Sequence, residues 1–231
     1  MTGLLVSVRD PLEAAEALRG GANVIDIKEP RNGSLGAASD SCIAAVVARV
    51  ARRAPISAAL GELVDFDSSR AVTLPPGVKF VKLGLAGCGS KPDWRNRWRI
   101  AARALSATAA MIAVVYADSA SGAPPADQLL DEAVRIGCAG ILIDTFDKRR
   151  GDLFKHWSID RLGRQIHDAQ LAGLVTVVAG SLTGETIQHV LPLEPDLVAV
   201  RGAACRGGRT GRVDRCLVSR LSRTLSGTSA V

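Results

Sequence analysis

The chain has 231 residues, of which 47% are hydrophobic, 23% charged and only 3% aromatic. That length and balance exclude a disulfide-stapled mini-protein and a globally disordered chain, and suit one large domain with an aliphatic core. No apolar run approaches the ~20 residues of a membrane helix, and the start, MTGLLVSVRDP, lacks the basic region of a secretory signal. The net charge of +6 favours anionic partners: nucleic acid, an anionic membrane or phosphorylated metabolites.

In chain order, Leu4–Val8 reads as the first strand, and Asp10-Pro11 caps a helix over Asp10–Arg19. Strand Asn23–Lys28, helix Asp40–Arg52 and strand Ile56–Leu60 follow, then a short helix over Glu62–Ala71. Strand Phe80–Gly84, helix Pro92–Leu105, strand Met111–Ala117, helix Ala126–Ile136 and strand Gly140–Asp144 come next. Helix Ser158–Ala172, strand Leu174–Ala179, helix Thr183–Leu191, strand Leu197–Arg201 and helix Val213–Leu225 complete the pattern. The strands are continuous apolar runs, as parallel strands buried on both faces must be. Eight strands at roughly 29 residues per βα unit predict a single (β/α)8 TIM barrel over residues 1–225, with residues 226–231 as a disordered tail. A doubly wound sheet is the alternative, weakened because no GxGxxG follows the first strand.

Only six of the 29 basic residues are lysines. Arg stays protonated, whereas Lys loses its proton when desolvated and then acts as nucleophile or base. In barrels the active site lies at the strand C-terminal ends. There the chain carries Asp26 and Lys28, Lys82, Asp118, and Asp144 with Lys148 just beyond. Side chains alternate across a strand. If Ile25 and Ile27 face the helices, Val24, Asp26 and Lys28 point into the barrel. The same test turns Lys82, between Val81 and Leu83, inward, and sets Asp144 with Leu142. These residues would also serve as an ion-pair lattice that merely fills the barrel. Three lysines and three aspartates on one rim of a lysine-poor chain favour chemistry instead, because buried charge is costly unless used or well paired. A lysine at such a mouth is a candidate amine nucleophile.

A second constellation is glycine-rich. The ends of the seventh and eighth strands, with Gly180, Ser181, Arg201, Gly202 and Ala203, sit where barrels of this type bind phosphate on backbone N–H groups. Gly33 and Ser34 after the second strand offer a second anion site. The Arg-rich stretch Arg95–Arg103 carries Trp94 and Trp98 one turn apart, as in an amphipathic helix packed on the barrel or a neighbouring subunit. No nucleic-acid or membrane partner is expected, and a homo-oligomer is. The basic run Arg206–Arg215 is expected to lead into the last helix and to help hold phosphate. The five cysteines (Cys42, Cys88, Cys138, Cys205, Cys216) form no CxxC, and the three histidines no HExxH. We therefore expect a reducing, cytoplasmic setting, no metal and no cofactor.

The segments LLVSV (4–8), GGANVIDIKEPRNGSLGAA (20–38), FVKLGL (80–85), ILIDTFDKRRGDLF (141–154), VAGSL (178–182) and VAVRGAAC (198–205) resemble the (5-formylfuran-3-yl)methyl phosphate synthases. The resemblance runs from residue 4 to about 215, and DIKEPxxGSLGA is its most specific motif. It lapses over Lys91–Ala109. It implies a (β/α)8 barrel that joins two molecules of a phosphorylated triose, glyceraldehyde 3-phosphate, into a phosphorylated furan aldehyde with loss of phosphate and water. That product leads toward methanofuran or a bacterial analogue, a one-carbon carrier. It also implies Lys28 as Schiff-base lysine, Lys82 as proton acceptor, and Asp26, Asp144 and Lys148 as further active-site positions. The alternatives are a Schiff-base (class I) aldolase on another phosphorylated sugar, which would release no phosphate, and a barrel-shaped binding protein for nucleic acid or an anionic ligand.

Overall fold

Runs of Val, Ile and Leu form eight strands: β1 (Gly3–Val8), β2 (Val24–Ile27), β3 (Ile56–Glu62), β4 (Val78–Gly84), β5 (Ala110–Tyr116), β6 (Gly140–Asp144), β7 (Val175–Val178) and β8 (Leu197–Val200). The computed structural model describes residues 1–67 and 74–227. Each strand pairs in parallel with the next, and β8 returns to β1 through pairs such as Gly3–Leu197 and Val6–Val200, closing the expected barrel. The helices are α1 (Pro11–Arg19), α2 (Asp40–Val50), α3 (Trp94–Ser106), α4 (Ala126–Arg135), α5 (Ile159–Leu171), α6 (Gly184–Val190) and α7 (Arg215–Leu225). Local chemistry starts them: the Asp10 carboxylate accepts the N–H groups of Leu12 and Glu13, and Ser158 caps α5.

Two departures from the expected elements have local causes. The described part of Glu62–Ala71 is not helical: Glu62 ends β3, the Leu63 N–H donates to Gly84 O at 2.7 Å, and a turn follows. Glu62 is drawn into β3 and the Leu63 N–H into β4, while the Asp65 and Phe66 N–H groups close turns on Glu62 O and Leu63 O; residues 68–71 lie outside the described residues, as do 228–231 of the tail. The last helix begins at Arg215 rather than Val213, because Asp214 caps it by accepting from Cys216 and Leu217. Residues 212–213 instead form β10, antiparallel to β9 (Cys205–Arg206).

The strands divide the apolar side chains into two cores. Ile25, Ile27, Val81, Leu83, Ile141 and Ile143 face outward onto the helices, while Leu5, Val24, Ile112, Val114, Leu142 and Val177 fill the barrel. Trp94 and Trp98 are buried on the barrel side of α3, and Arg95 and Arg99 pair with Glu132 of α4. The Arg-rich helix thus spends its aromatics on packing and two of its cations on a neighbour. All five cysteines are free thiols. Among the described residues, no helix is long and apolar enough to cross a membrane.

Candidate active site

The alternation along β2 sends Asp26 inward and carries on to Lys28, while β4 delivers Lys82 and β6 delivers Asp144. All four are buried, at 8% exposure or less. They line one cavity of about 250 Å³ at the C-terminal ends of the strands, together with Lys148 and Ser7. Room is made by small neighbours: Ala179 and Ala199 on its wall, and Ala59 beside Lys82 in register.

The three lysines are not equivalent. Lys82 Nζ forms a buried ion pair with Asp26, whose other oxygen accepts the Ser7 hydroxyl at 2.9 Å. Lys148 Nζ pairs with Asp144 and donates to Thr145 Oγ1 at 3.2 Å. Lys28 Nζ makes no hydrogen bond or ion pair with any described residue; only its backbone N–H is engaged, to Val8 O. Burial, chiefly, lowers the Lys28 pKa from 10.5 to about 8. Asp144 and Asp26 oppose that shift, and Lys148 and Lys82 reinforce it. A measurable fraction of this amine is therefore neutral at pH 7, as a nucleophile requires. Burial works against the Asp144 charge, but Lys148, Lys28 and the Thr145 N–H outweigh it, so its pKa lies below the ordinary value. Asp144 is thus a carboxylate that balances charge and accepts hydrogen bonds. The third rim aspartate, Asp118, does not line the cavity. Its carboxylate accepts the N–H groups of Phe146 (2.5 Å) and Asp147 (2.9 Å) and fixes the loop that carries Lys148.

The glycine-rich positions separate. Gly180, Ser181, Gly202 and Ala203 line the same cavity as the lysines. Their backbone N–H groups donate to no acceptor among the described residues, leaving them free for an anion. Gly180 (φ +100°) and Ser181 (φ +55°) both lie in the left-handed region. For Ser181 that is a strained backbone of the kind held at ligand sites. Two expectations for phosphate contact are revised. The Arg201 side chain is fully committed, to Glu13, Ser7 O, Arg209 O and Gly211 O, so that position offers only backbone. The single proton of Ser34 Oγ is shared between Thr145 O at 3.0 Å and Asp144 at 3.3 Å, pinning its loop over the mouth. Gly33 and Ser34 also border a separate opening lined by Asp40, Glu62, Asp65 and Asp67, whose charge opposes a phosphate.

Two participants, Ser7 and Tyr116, were not singled out from the sequence, and Arg209 only as part of the basic run Arg206–Arg215 expected to help hold phosphate. Ser7 was findable, as the polar residue two beyond inward-facing Leu5. Tyr116 donates to Glu62 at 2.6 Å beside Ser34, joining β5 to β3 at the rim. Arg209, in the turn between β9 and β10, reaches back over the cavity; its position depends on a hairpin that no local pattern announced.

The fold and the sorted lysine–carboxylate pairs define a (β/α)8-barrel enzyme with its site at the strand C-termini. Comparison with known proteins narrows this class. The chain belongs to the 4-HFC-P synthase family, whose model it matches over residues 4–222. It is 32% identical to the (5-formylfuran-3-yl)methyl phosphate synthase of Methanocaldococcus jannaschii, over 94% of this chain and 97% of that one. It is also 32% identical to the Methanopyrus kandleri protein of the same name, over 96% and 98%. Solved structures of similar fold include phosphoribosyl anthranilate isomerase from Thermus thermophilus (TM-score 0.66, 13% identity, 99% and 100% coverage). Another is 3-hexulose-6-phosphate synthase (TM-score 0.62, 16% identity, 99% and 100% coverage). At these identities they share the barrel alone.

Proposed function

We propose that this protein condenses two molecules of glyceraldehyde 3-phosphate into (5-formylfuran-3-yl)methyl phosphate through an imine on Lys28. The observation that carries the reading is the sorting of the lysines: one buried, unpaired amine with a pKa near 8 between two lysines held by carboxylates. Lys28 Nζ attacks the aldehyde carbon, and loss of water gives an imine. Its protonated form withdraws electrons, so a proton on the adjacent carbon becomes removable. Lys82 gives its own proton to the carbinolamine hydroxyl as that leaves as water, and the neutral amine, held by Asp26, then takes the proton from the adjacent carbon. The enamine adds to the second aldehyde, phosphate leaves by β-elimination, water hydrolyses the imine to free Lys28, and ring closure with dehydration yields the furan. Asp144 and Lys148 hold charge balance beside the amine, and the free N–H groups at 180–181 and 202–203 receive phosphate.

Borohydride reduction with glyceraldehyde 3-phosphate, followed by peptide mass mapping, tests this. The adduct is expected on Lys28 in the wild type, and on no lysine in Lys28→Arg, since a guanidinium forms no imine. Free phosphate and furan absorbance in the wild type separate the reaction from a plain aldolase. An adduct on Lys82 or Lys148 would exchange the roles, and turnover without any adduct would remove covalent catalysis.

A further inference from the structure

Five cations line the cavity: Lys28, Lys82, Lys148, Arg201 and Arg209. Three are neutralised inside the protein, Lys82 by Asp26, Lys148 by Asp144 and Arg201 by Glu13. Lys28 is the amine that must lose its charge to react. Arg209 alone remains as a permanent cation with no carboxylate paired to it among the described residues. Among the described residues its guanidinium meets only carbonyls, Nη1 at 2.6 Å from Pro30 O and Nη2 at 2.6 Å from Gly33 O. A guanidinium has five N–H donors, so most of them are uncommitted. Burial, chiefly, and Arg201 disfavour its charge, and Asp144 and Glu29 offset this in part. A half-buried cation in this state lacks an anion.

The turn that carries Arg209 is held in place from below. Arg201 Nε donates to Arg209 O at 2.7 Å and Arg201 Nη2 to Gly211 O at 3.0 Å. Arg201 is in turn fixed by Glu13. The same cavity wall presents the free N–H groups at 180–181 and 202–203. A planar fork and backbone donors facing one space match a phosphate monoester, which takes bidentate contacts from arginine.

We propose that Arg209 is a phosphate ligand of the site, gripping the phosphoryl group of a phosphorylated aldehyde while its carbonyl contacts keep the 30–33 loop over the mouth. This rests on the imine reading above for its substrate, and it makes Arg209 the residue that prefers phosphorylated over plain aldehydes. A hydrogen bond to a charged group carries a preference of order 10- to 100-fold.

The test is imine trapping on Lys28 as a function of aldehyde concentration, with glyceraldehyde 3-phosphate and with unphosphorylated glyceraldehyde. In Arg209→Ala the concentration for half-maximal trapping should rise about 10- to 100-fold more for the phosphorylated aldehyde than for the plain one. Arg209→Lys should recover part of the preference, and Arg209→Gln, which keeps a donor for a loop carbonyl but no charge, should not. Equal weakening for both aldehydes would show that Arg209 only orders the loop, and no change for either would remove it from the site; both outcomes overturn the proposal. An independent arm uses inorganic phosphate. Millimolar phosphate should raise the Tm of the wild type and leave that of Arg209→Ala and Arg209→Gln unmoved. If wild type traps neither aldehyde, the imine reading has failed, and this arm still decides the role of Arg209: equal Tm shifts in wild type and variants would overturn it.

Discussion

An amine that is about one-tenth neutral at pH 7 costs the fold something. In the unfolded chain Lys28 has a pKa near 10.5; in the barrel it is about 8. Between those values the unfolded chain binds the proton and the folded one does not, so stability rises with pH across that window. Below pH 8 the penalty is present in full, about 3 kcal/mol. Lys28→Met, which fills the stem's volume without charge, should therefore have a higher Tm than the wild type at pH 7, with the difference closing toward pH 10. Paired thermal melts across pH 6–10 measure this. A gap that ignores pH, or a less stable variant, would mean that Lys28 is better solvated than its burial implies. Trading stability for reactivity is what a strained active site does. Much of this site was legible in the sequence, because Ile25 and Ile27 left Asp26 and Lys28 only one face to occupy, and lysine is scarce. Which lysine stays unpaired was not legible. It depends on β4 setting Lys82 against Asp26, an event 56 residues apart in sequence, and on the loop after β6 turning Lys148 back onto Asp144.

At the level of elements, the seam between α1, β8 and the β9–β10 hairpin is held by buried charge. Glu13 receives Arg201 and Arg9, and both Glu13 and the Arg201 side chain are 2% exposed. Burial works against the Glu13 charge, but hydrogen bonding and attraction from Arg201, with help from Arg9, outweigh it and lower its pKa. Its contribution is present above the unfolded value near 4.5 and is lost as pH falls through the folded one. Glu13→Ala strands the Arg201 guanidinium and should cost about 3–5 kcal/mol, lowering Tm by roughly 10 °C at pH 7. The wild-type advantage should fade as the medium is acidified. A Tm change within about 2 °C would show that the carbonyls of Ser7, Arg209 and Gly211 suffice for Arg201. The sequence pattern placed Arg201 at the right rim with the wrong task, because its partner lies on α1, 188 residues away. The strands themselves were legible as continuous apolar runs. The hairpin at 205–213 was not, since its two-residue strands are too short to show a period. The described start of the β3–β4 connection differs from the expected helix because a mixed polar–apolar stretch looks helical, whereas Glu62 is taken into β3 and the Leu63 N–H into Gly84 O.

For the molecule as a whole, the barrel must close where the two ends of the chain meet. β1 pairs with β8, and α7 packs beside α1 so that the last βα unit abuts the first. The helices touch at Gly20, just past the end of α1. A Cβ there would stand 2.5 Å from Val218 Cβ and 2.9 Å from Arg215 O of α7, closer than side chains tolerate. Glycine is needed here for the approach of another backbone rather than for an unusual dihedral, since Gly20 lies at φ −81°. Gly20→Ala should push α7 away from the seam at a cost of about 1–3 kcal/mol, or roughly 2–4 °C of Tm per kcal/mol in a chain of this size. The lysine cavity is built by other elements, so Lys28 trapping per folded molecule should be unchanged. Val218→Ala opens a void against α1 and should itself destabilise. Alanine at 218 removes Cγ1, which a Cβ at Gly20 would meet at 2.6 Å, and leaves the contacts with Val218 Cβ and Arg215 O; the relief is partial, so the double variant should lose somewhat less than the sum of the singles. Thermal melts of the four proteins read that coupling directly. Strict additivity, or a Gly20→Ala variant as stable as the wild type, would show that the closing helices do not press on each other at this point.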